Sequence, residues 1–302
     1  MTLTDQVIKN IVSRVIKSQD YRIEIVNLIN AEFLQFAIDF FKQVVEAKLK
    51  SRDITMDWYR EAFMRESLPS DDIAINSGLN KKTISNMYRS ATKQIVINAS
   101  NEHFESLYNS IQKLVENEHD IDLTLTVKFK SVSVDLNVNE SLIVINTLAV
   151  KRAALRGGLW STAGKCAEKY LMLALCKLYK VSSKNYNSEH FVKNKDLEVD
   201  REIDFYLKSN KKEYKCEVKL MGKGNPESAD VIIARNSDVL IADTLSHQNK
   251  SQCDQLGICW VACRDEDGFM RFRTVLDKLD IPYTDYSGNL DNDLPKIINE
   301  LF

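Results

Sequence analysis

Apolar and polar residues alternate in two neighbouring stretches in the second half of the chain, residues 202–207 and 215–220, and the residues between them are polar. This alternation predicts half-buried β-strands, and the short polar connection predicts that they pair as an antiparallel hairpin. Side chains on a strand point alternately to its two faces. In the register that joins the apolar faces, Asp204, Glu217 and Lys219 are therefore predicted to meet on the polar face of a small sheet.

A helical period dominates the first part of the chain. Large apolar side chains recur every three or four residues through most of residues 1–120, and the last of these series contains Phe104, Leu107 and Ile111. That spacing places them on one face of amphipathic helices. The N-terminal region is therefore predicted to be mainly helical.

The pattern changes after the helical region. Residues 123–129 and 132–138 alternate, and residues 142–145 form a short apolar run, so three short strands are predicted here. The length of 302 residues exceeds that of one typical domain. We therefore predict a helical domain over residues 1–145 and a second domain over residues 146–302, where strands and helices alternate to give a mixed central sheet flanked by helices.

Residues 70–90 have the spacing of two short helices joined by a sharp turn. Ala74 lets the helices approach each other, Gly78 permits the turn, and Ile84 fills the core between them. The segment resembles DNA-binding helix-turn-helix modules, although helical corners also occur without a DNA role. The resemblance implies that the second helix faces a groove or the phosphate backbone. Its predicted DNA contacts are Lys81, Lys82, Asn86 and Arg89.

The net charge of −2 argues against a simple polycation, but the basic residues are unevenly distributed. Residues 151–180 contain seven basic residues and a single acid, Glu168. Such a local patch can neutralise DNA phosphates, and the alternative is an ordinary solvated helix face. The candidates for phosphate contacts in this stretch are Arg152, Arg156 and Lys165.

The sequence carries no sign of a membrane or secreted protein. No run is long and apolar enough to span a bilayer, and the N-terminus lacks the features of a secretion signal. The six cysteines all lie in the second half of the chain, and several occupy helix or strand positions that fit reduced, buried thiols. We therefore expect a cytoplasmic protein without a membrane partner.

Two carboxylates and a lysine on one sheet surface suit a divalent hard cation. Mg²⁺ takes oxygen ligands and keeps most of its waters, so one or two carboxylates are enough to hold it. A water bound to the metal loses its proton more readily, and a nearby ammonium group can orient that water or offset the charge that develops on a phosphate. The alternative is a solvated Glu–Lys pair on an exposed strand.

The same residues resemble the signature of the PD-(D/E)XK nuclease superfamily, in which an acidic residue on one strand is followed by Glu-x-Lys on the next. Ile203 stands where many members have a proline before the aspartate. The resemblance covers residues 150–265. It implies that Asp204 and Glu217 bind Mg²⁺ and that Lys219 positions the attacking water.

Further site residues follow from the same resemblance. The helix before the hairpin often brings an acidic residue to the metal in these nucleases, which makes Glu168 a candidate ligand. Glu198, Asp200 and Glu202 lie close enough in the sequence to compete for the role of Asp204. The loop after Lys219 is expected near the scissile phosphate, and its residue types suit base edges. Its candidate DNA contacts are Lys223, Asn225, Glu227 and Arg235.

The whole pattern is most similar to a type II restriction endonuclease. That resemblance implies Mg²⁺-dependent cleavage of double-stranded DNA at a short specific site, with 5′-phosphate products. Cutting both strands of a symmetric site implies a homodimer, and a cognate DNA methyltransferase is expected in the same system. Two alternatives remain: a repair or mobile-element nuclease with the same chemistry, and a helix-turn-helix regulator without catalysis.

Overall fold

The structure is a computed structural model that describes residues 3–50, 53–117, 123–129, 131–187, 205–210, 212–220 and 237–302. The chain divides into two compact units. The first unit combines Met1–Leu28 with Trp160–Phe302, and the second is Ile29–Leu159. This division differs from the predicted one, since the first 28 residues group with the C-terminal part.

Contacts between the two ends of the chain explain that grouping. Helix α1 (Leu3–Ile16) lies against the last helix, α10 (Leu290–Leu301). The Lys9 ammonium donates to the Asn299 side chain at 3.1 Å. Such a pairing of distant segments leaves no local periodic signal, so the sequence pattern did not predict it.

The unit Ile29–Leu159 is mainly helical, as predicted. Its core contains stacked aromatic rings, with the Tyr59 and Phe104 centroids 4.4 Å apart and those of Phe40 and Phe63 5.0 Å apart. The predicted strands at 125–136 form a two-stranded antiparallel sheet. The elements that contribute to this unit are α2 (Arg22–Leu49), α3 (Met56–Phe63), α4 (Ser70–Asn76), α5 (Lys81–Tyr88), α6 (Lys93–Asn117), β1 (Leu125–Phe129), β2 (Val132–Leu136) and the first half of α7 (Val138–Leu178).

The predicted third strand at residues 142–145 is wrong, because this run lies inside helix α7. The helix begins with reciprocal hydrogen bonds: the Glu140 backbone N–H donates to Asn137 Oδ1 at 3.0 Å, and the Asn137 N–H donates to Glu140 Oε2 at 2.9 Å. This is the pattern of a capping box, with Asn in place of Ser or Thr. The Asn-x-x-Glu spacing was the sequence signal that would have identified the helix.

The two helices predicted in residues 70–90 are confirmed as α4 and α5. Gly78 forms the turn with φ +94°, a left-handed conformation that glycine adopts without strain. Ala74 and Ile84 are fully buried where the helices meet. The Asn80 side chain accepts from the Thr83 N–H at 2.8 Å and so caps α5.

The other unit contains the mixed sheet, and the predicted fold class is confirmed. Its strands are β3 (Tyr186–Asn187), β4 (Phe205–Lys208), β5 (Glu213–Lys219), β6 (Val239–Ala242) and β7 (Cys259–Ala262), and their order in the sheet is β3-β4-β5-β6-β7. Strand β4 is antiparallel to both of its neighbours, whereas β5, β6 and β7 are parallel. The helices of this unit are α1, the second half of α7, α8 (His247–Gln255), α9 (Phe272–Lys278) and α10.

The predicted hairpin is the pair β4–β5, in which Phe205 lies opposite Cys216. Phe205, Leu207 and Cys216 are buried, as the alternation predicted. The opposite face is also covered, since Leu240 and Ala242 of β6 pack with Cys253 of α8. The face that carries Glu217 is therefore part of the protein interior.

Candidate active site

Strand β5 places a glutamate and a lysine two residues apart on the same face of the sheet. Lys219 Nζ lies 2.7 Å from Glu217 Oε1. Glu217 is 0% exposed, and the Lys219 side chain is 18% exposed. Burying a carboxylate is costly unless it is paired, so the contact with Lys219 offsets a desolvation cost that a solvated surface glutamate does not have. The alternative of an exposed cross-strand pair is therefore excluded.

Helix α7 brings a second carboxylate to this lysine. Glu168 Oε2 lies 3.9 Å from Lys219 Nζ, and Glu168 Oε1 accepts a hydrogen bond from the Leu220 backbone N–H at 3.2 Å. Glu168 is itself buried. Its predicted approach to the hairpin is thus observed, and the structure adds a contact with the backbone at the end of β5 that the sequence did not indicate.

The chemistry of this cluster fits a cation. Two carboxylates face one ammonium group, so the described side chains carry more negative than positive charge, and carboxylate oxygens are the ligands that Mg²⁺ prefers. Asp204, the third predicted ligand, lies outside the described residues, as do Glu198, Asp200 and Glu202. Among the residues that are described, no group of three or more His, Cys, Asp or Glu side chains is arranged to hold a metal ion.

A further acidic residue near this end of the sheet was missed by the sequence reasoning. Asp243 follows β6 directly, is fully buried, and donates its backbone N–H to the Lys219 carbonyl at 3.3 Å. Burial first, and then the charges of Asp243 and Glu168, raise the pKa of Tyr21 above its ordinary value. The signal in the sequence was an aspartate immediately after the apolar run of a parallel strand, a place where ligand-binding residues collect in α/β sheets.

The predicted phosphate contacts on α7 are exposed. Arg152, Arg156 and Lys165 all present their side chains to solvent. The Arg152 guanidinium donates to Asn30 Oδ1 at 3.1 Å and lies over the Phe33 ring, 5.1 Å from its centroid. Arg152 is therefore held in one orientation by α2.

The predicted contacts on α5 fall into two groups. Lys82 and Asn86 are exposed on the helix, and Arg89, which is also exposed, follows its last residue in a left-handed conformation with φ +52°. Lys81 is half-buried, and its ammonium group lies 3.8 Å from Asp71 Oδ2 of α4. The predicted contacts of the loop after β5, namely Lys223, Asn225, Glu227 and Arg235, lie outside the described residues.

Two further observations concern the cysteines and the helices. All six cysteines are free, and five of them are buried. In the described part of the chain, no helix combines the length and the apolar character that crossing a membrane requires.

Comparison with protein-family models identifies the class of protein: the chain is a restriction endonuclease, a nuclease that acts on DNA. The model that matches is that of the CfrBI restriction endonuclease, over residues 5–250, and the chain belongs to this family. The match includes the α4–α5 segment and the group of Glu168, Glu217 and Lys219, which we call the β5 cluster. Neither curated proteins nor solved structures gave a match.

Proposed function

We propose that the protein is a type II restriction endonuclease of the PD-(D/E)XK type, which hydrolyses double-stranded DNA at a short specific site and depends on Mg²⁺. The observation that supports this most strongly is the lysine at the end of β5. Lys219 lies against two buried carboxylates, Glu217 and Glu168. A buried acidic cluster of this kind has little value for stability. It does have the charge and the hard oxygen ligands that a divalent cation requires.

Asp204 is the proposed third acidic residue. It directly precedes Phe205 in the sequence, and Phe205 lies opposite Cys216, the residue before Glu217. Asp204 and Glu217 would hold the Mg²⁺, with Glu168 as a further ligand. When bound there, Mg²⁺ supplies Lewis-acid stabilisation of the charge that develops on the phosphate.

The side chains of the chain itself then have separate roles. Glu217 holds the Lys219 ammonium group at the end of β5, where it can donate a hydrogen bond to the attacking water and offset negative charge on the phosphate. Attack of this water forms a new P–O bond and breaks the bond between phosphorus and the 3′-oxygen. The water gives up a proton and the 3′-oxygen takes one, which leaves a 3′-hydroxyl and a 5′-phosphate.

DNA contacts are assigned to α5 and to the basic face of α7. Lys82 on α5 and Arg89 directly after this helix are exposed cations, and Arg152 and Arg156 are exposed cations on α7. Cations of this kind bind phosphates, and these contacts provide affinity and orient the protein on the duplex. The loop residues Lys223, Asn225, Glu227 and Arg235 stay candidates for contacts near the cut, and Lys165 for a phosphate contact.

The remaining parts of the proposal concern assembly and setting. Cutting both strands of a symmetric site needs two active sites, so we propose a homodimer. Free, buried cysteines fit a reducing compartment, so we place the enzyme in the cytoplasm with a methyltransferase that protects the host DNA.

The decisive experiment is cleavage of plasmid DNA by Glu217→Gln and Lys219→Gln variants in the presence of Mg²⁺. The wild type is expected to give discrete fragments with 5′-phosphate ends, and each variant to cut at least about a hundredfold more slowly, since each removes electrostatic stabilisation of the transition state. DNA binding in EDTA should persist in both variants.

The matched controls lie on the same strand. Glu213 is exposed and pairs with Lys208 at 2.6 Å, and Lys215 faces the same side of the sheet as Lys219. Glu213→Gln and Lys215→Gln should therefore cut at close to the wild-type rate. Wild-type cleavage that EDTA does not stop, or equal rates for Glu217→Gln and Glu213→Gln, would refute the proposed site.

A further inference from the structure

The outward face of α5 is positively charged and contains no acid to offset it. The helix reads Lys-Lys-Thr-Ile-Ser-Asn-Met-Tyr, without an acidic residue. Lys82 and Arg89 are exposed, and neither forms an ion pair with a residue that the structure describes. Positions 82 and 86 are one four-residue step apart and therefore share a face of α5. Arg89 directly follows the helix in a left-handed conformation with φ +52°. One exposed cation thus lies on the same face as Asn86, and another follows the end of the helix.

The Asn86 amide is exposed and has no hydrogen-bond partner among the described residues. Two amides on exposed helix faces of this protein do have one: Gln35 donates to Asp39 at 2.8 Å, and Gln94 donates to Asn98 at 3.0 Å. Those partners lie four residues further along the helix. The position four residues beyond Asn86 is Ser90, which lies past the end of α5, and the position four residues before it is Lys82, whose ammonium group cannot accept a hydrogen bond. The helix therefore offers the exposed Asn86 amide no partner of this kind.

The chemistry of an amide selects one base. In the major groove adenine presents an acceptor, N7, beside a donor, the N6 amino group. Guanine presents two acceptors there, thymine an acceptor and a methyl group, and cytosine a donor. An amide that donates through Nδ2 and accepts through Oδ1 therefore makes both bonds only with adenine. Lys82 on the same face, and Arg89 directly after the helix, would hold α5 by binding phosphates or neighbouring base edges.

We propose that Asn86 is a specificity-determining residue that reads an adenine in the major groove, with Nδ2 donating to N7 and Oδ1 accepting from the N6 amino group. The recognition site then contains an A·T pair under the middle of α5. This inference rests on the proposed function in one respect only, that α4 and α5 form a DNA-binding module. It does not depend on Glu217 or Lys219.

The test replaces a single atom of adenine throughout the DNA, so the recognition sequence does not have to be known. Short fragments that tile a plasmid are bound to the wild-type protein in EDTA, and the fragment bound most tightly is amplified with either dATP or 7-deaza-dATP. The 7-deaza base keeps its pairing and its N6 amino group but has no N7 acceptor. Dissociation constants are measured on both DNAs for the wild type, Asn86→Ala and Lys82→Ala, with thermal unfolding as a check on folding.

The wild type is expected to bind the 7-deazaadenine DNA on the order of tenfold more weakly, the effect of one unsatisfied hydrogen bond at a reader position. Asn86→Ala should bind both DNAs alike, at the weaker level. Lys82→Ala should be weaker on both and keep the tenfold ratio, because a phosphate contact is indifferent to the base.

Three other outcomes would each contradict a specific part of the proposal. Equal binding of both DNAs by the wild type overturns the reading of adenine N7, and a tenfold ratio that persists in Asn86→Ala moves it to another residue. If no fragment is preferred, sequence-specific binding by α4 and α5 fails, and the inference fails with it. Cleavage of ordinary DNA, measured separately with Mg²⁺, reports on the β5 site and distinguishes failure of the proposed active site from failure of the reader.

Discussion

The β5 cluster and the α4–α5 module are built in opposite ways. The catalytic candidates Glu217, on a strand, and Glu168, on a helix, are buried and lie 49 residues apart in the sequence. The proposed reader Asn86 is exposed and lies within a segment of about twenty residues that forms a small core with the start of α6. Chemistry that needs low dielectric and fixed charges depends on the fold, whereas recognition depends on an exposed side chain held by a rigid local frame.

The contrast has an energetic consequence. A buried charge that loses its partner destabilises the protein, because the remaining charge keeps its desolvation cost. An exposed side chain without intramolecular partners can be replaced at little cost to folding. Substitutions that remove a buried contact from the β5 cluster should therefore change stability and activity together, and substitutions on the outer face of α5 should change binding alone.

The largest effect is expected at Glu168, where two variants separate the contribution to stability from the contribution to cleavage. Glu168→Ala removes the acceptor for the Leu220 N–H and the second carboxylate near Lys219. We expect the free energy of unfolding to fall by about 1–2 kcal/mol and the cleavage rate to fall strongly. Glu168→Gln keeps an acceptor oxygen but not the charge, so its stability should stay near that of the wild type while its cleavage rate still falls.

Urea denaturation and single-turnover cleavage of both Glu168 variants test this. If Glu168→Gln cuts as fast as the wild type, then Glu168 acts by holding the end of β5 and its charge has no part in the reaction. If the two variants are equally destabilised, the bond to Leu220 is not what links α7 to the strand.

A smaller effect is expected at the turn between α4 and α5. Gly78 has φ +94°, and a Cβ there would lie 3.3 Å from His103 Nε2, so Gly78→Ala should destabilise the protein by about 1 kcal/mol or more. Gly157 provides the control, since it lies within α7 and a Cβ there would meet no atom within 4 Å. Gly157→Ala should instead stabilise by up to about 1 kcal/mol, the helix preference of alanine over glycine.

Thermal unfolding of the two glycine variants, together with DNA binding in EDTA, shows how far DNA binding depends on the turn that orients α5. Gly78→Ala should also weaken binding, because α5 no longer leaves the turn in the same direction. Equal stability of Gly78→Ala and the wild type would mean that the turn adapts, and the rigid frame assumed for Asn86 would lose its support.

The same contrast explains what the sequence could predict. Periodicity was enough for α4, α5 and the β4–β5 hairpin, because each depends on neighbouring residues. It misassigned residues 142–145, where a capping box made the run part of a helix. It also did not indicate Asp243, nor that Glu217 is fully buried, since both follow from helices and strands that pack from distant parts of the chain.

The smallest effect, and the one that tests the exposed surface most directly, concerns two adjacent lysines. Lys82 has no ion-pair partner among the described residues, whereas the Lys81 ammonium group lies 3.8 Å from Asp71. If both bound phosphate equally, each alanine substitution would reduce the slope of log affinity against log salt by about 0.9. The Asp71 carboxylate already neutralises part of the Lys81 charge, so Lys81→Ala should reduce the slope by less than Lys82→Ala.

Dissociation constants over a series of salt concentrations, measured in EDTA on one DNA fragment, give both slopes. Asp71→Asn is the matched control, since it frees Lys81 without touching α5 and should steepen the salt dependence. Adjacent residues of a helix differ little in position along its axis but point in directions about 100° apart around it. A larger reduction of the slope for Lys81→Ala than for Lys82→Ala would place the phosphate on the side of α5 that carries Lys81, next to Asp71, and would turn the face of Asn86 away from the DNA. The order of the two slopes therefore shows which side of α5 faces the DNA.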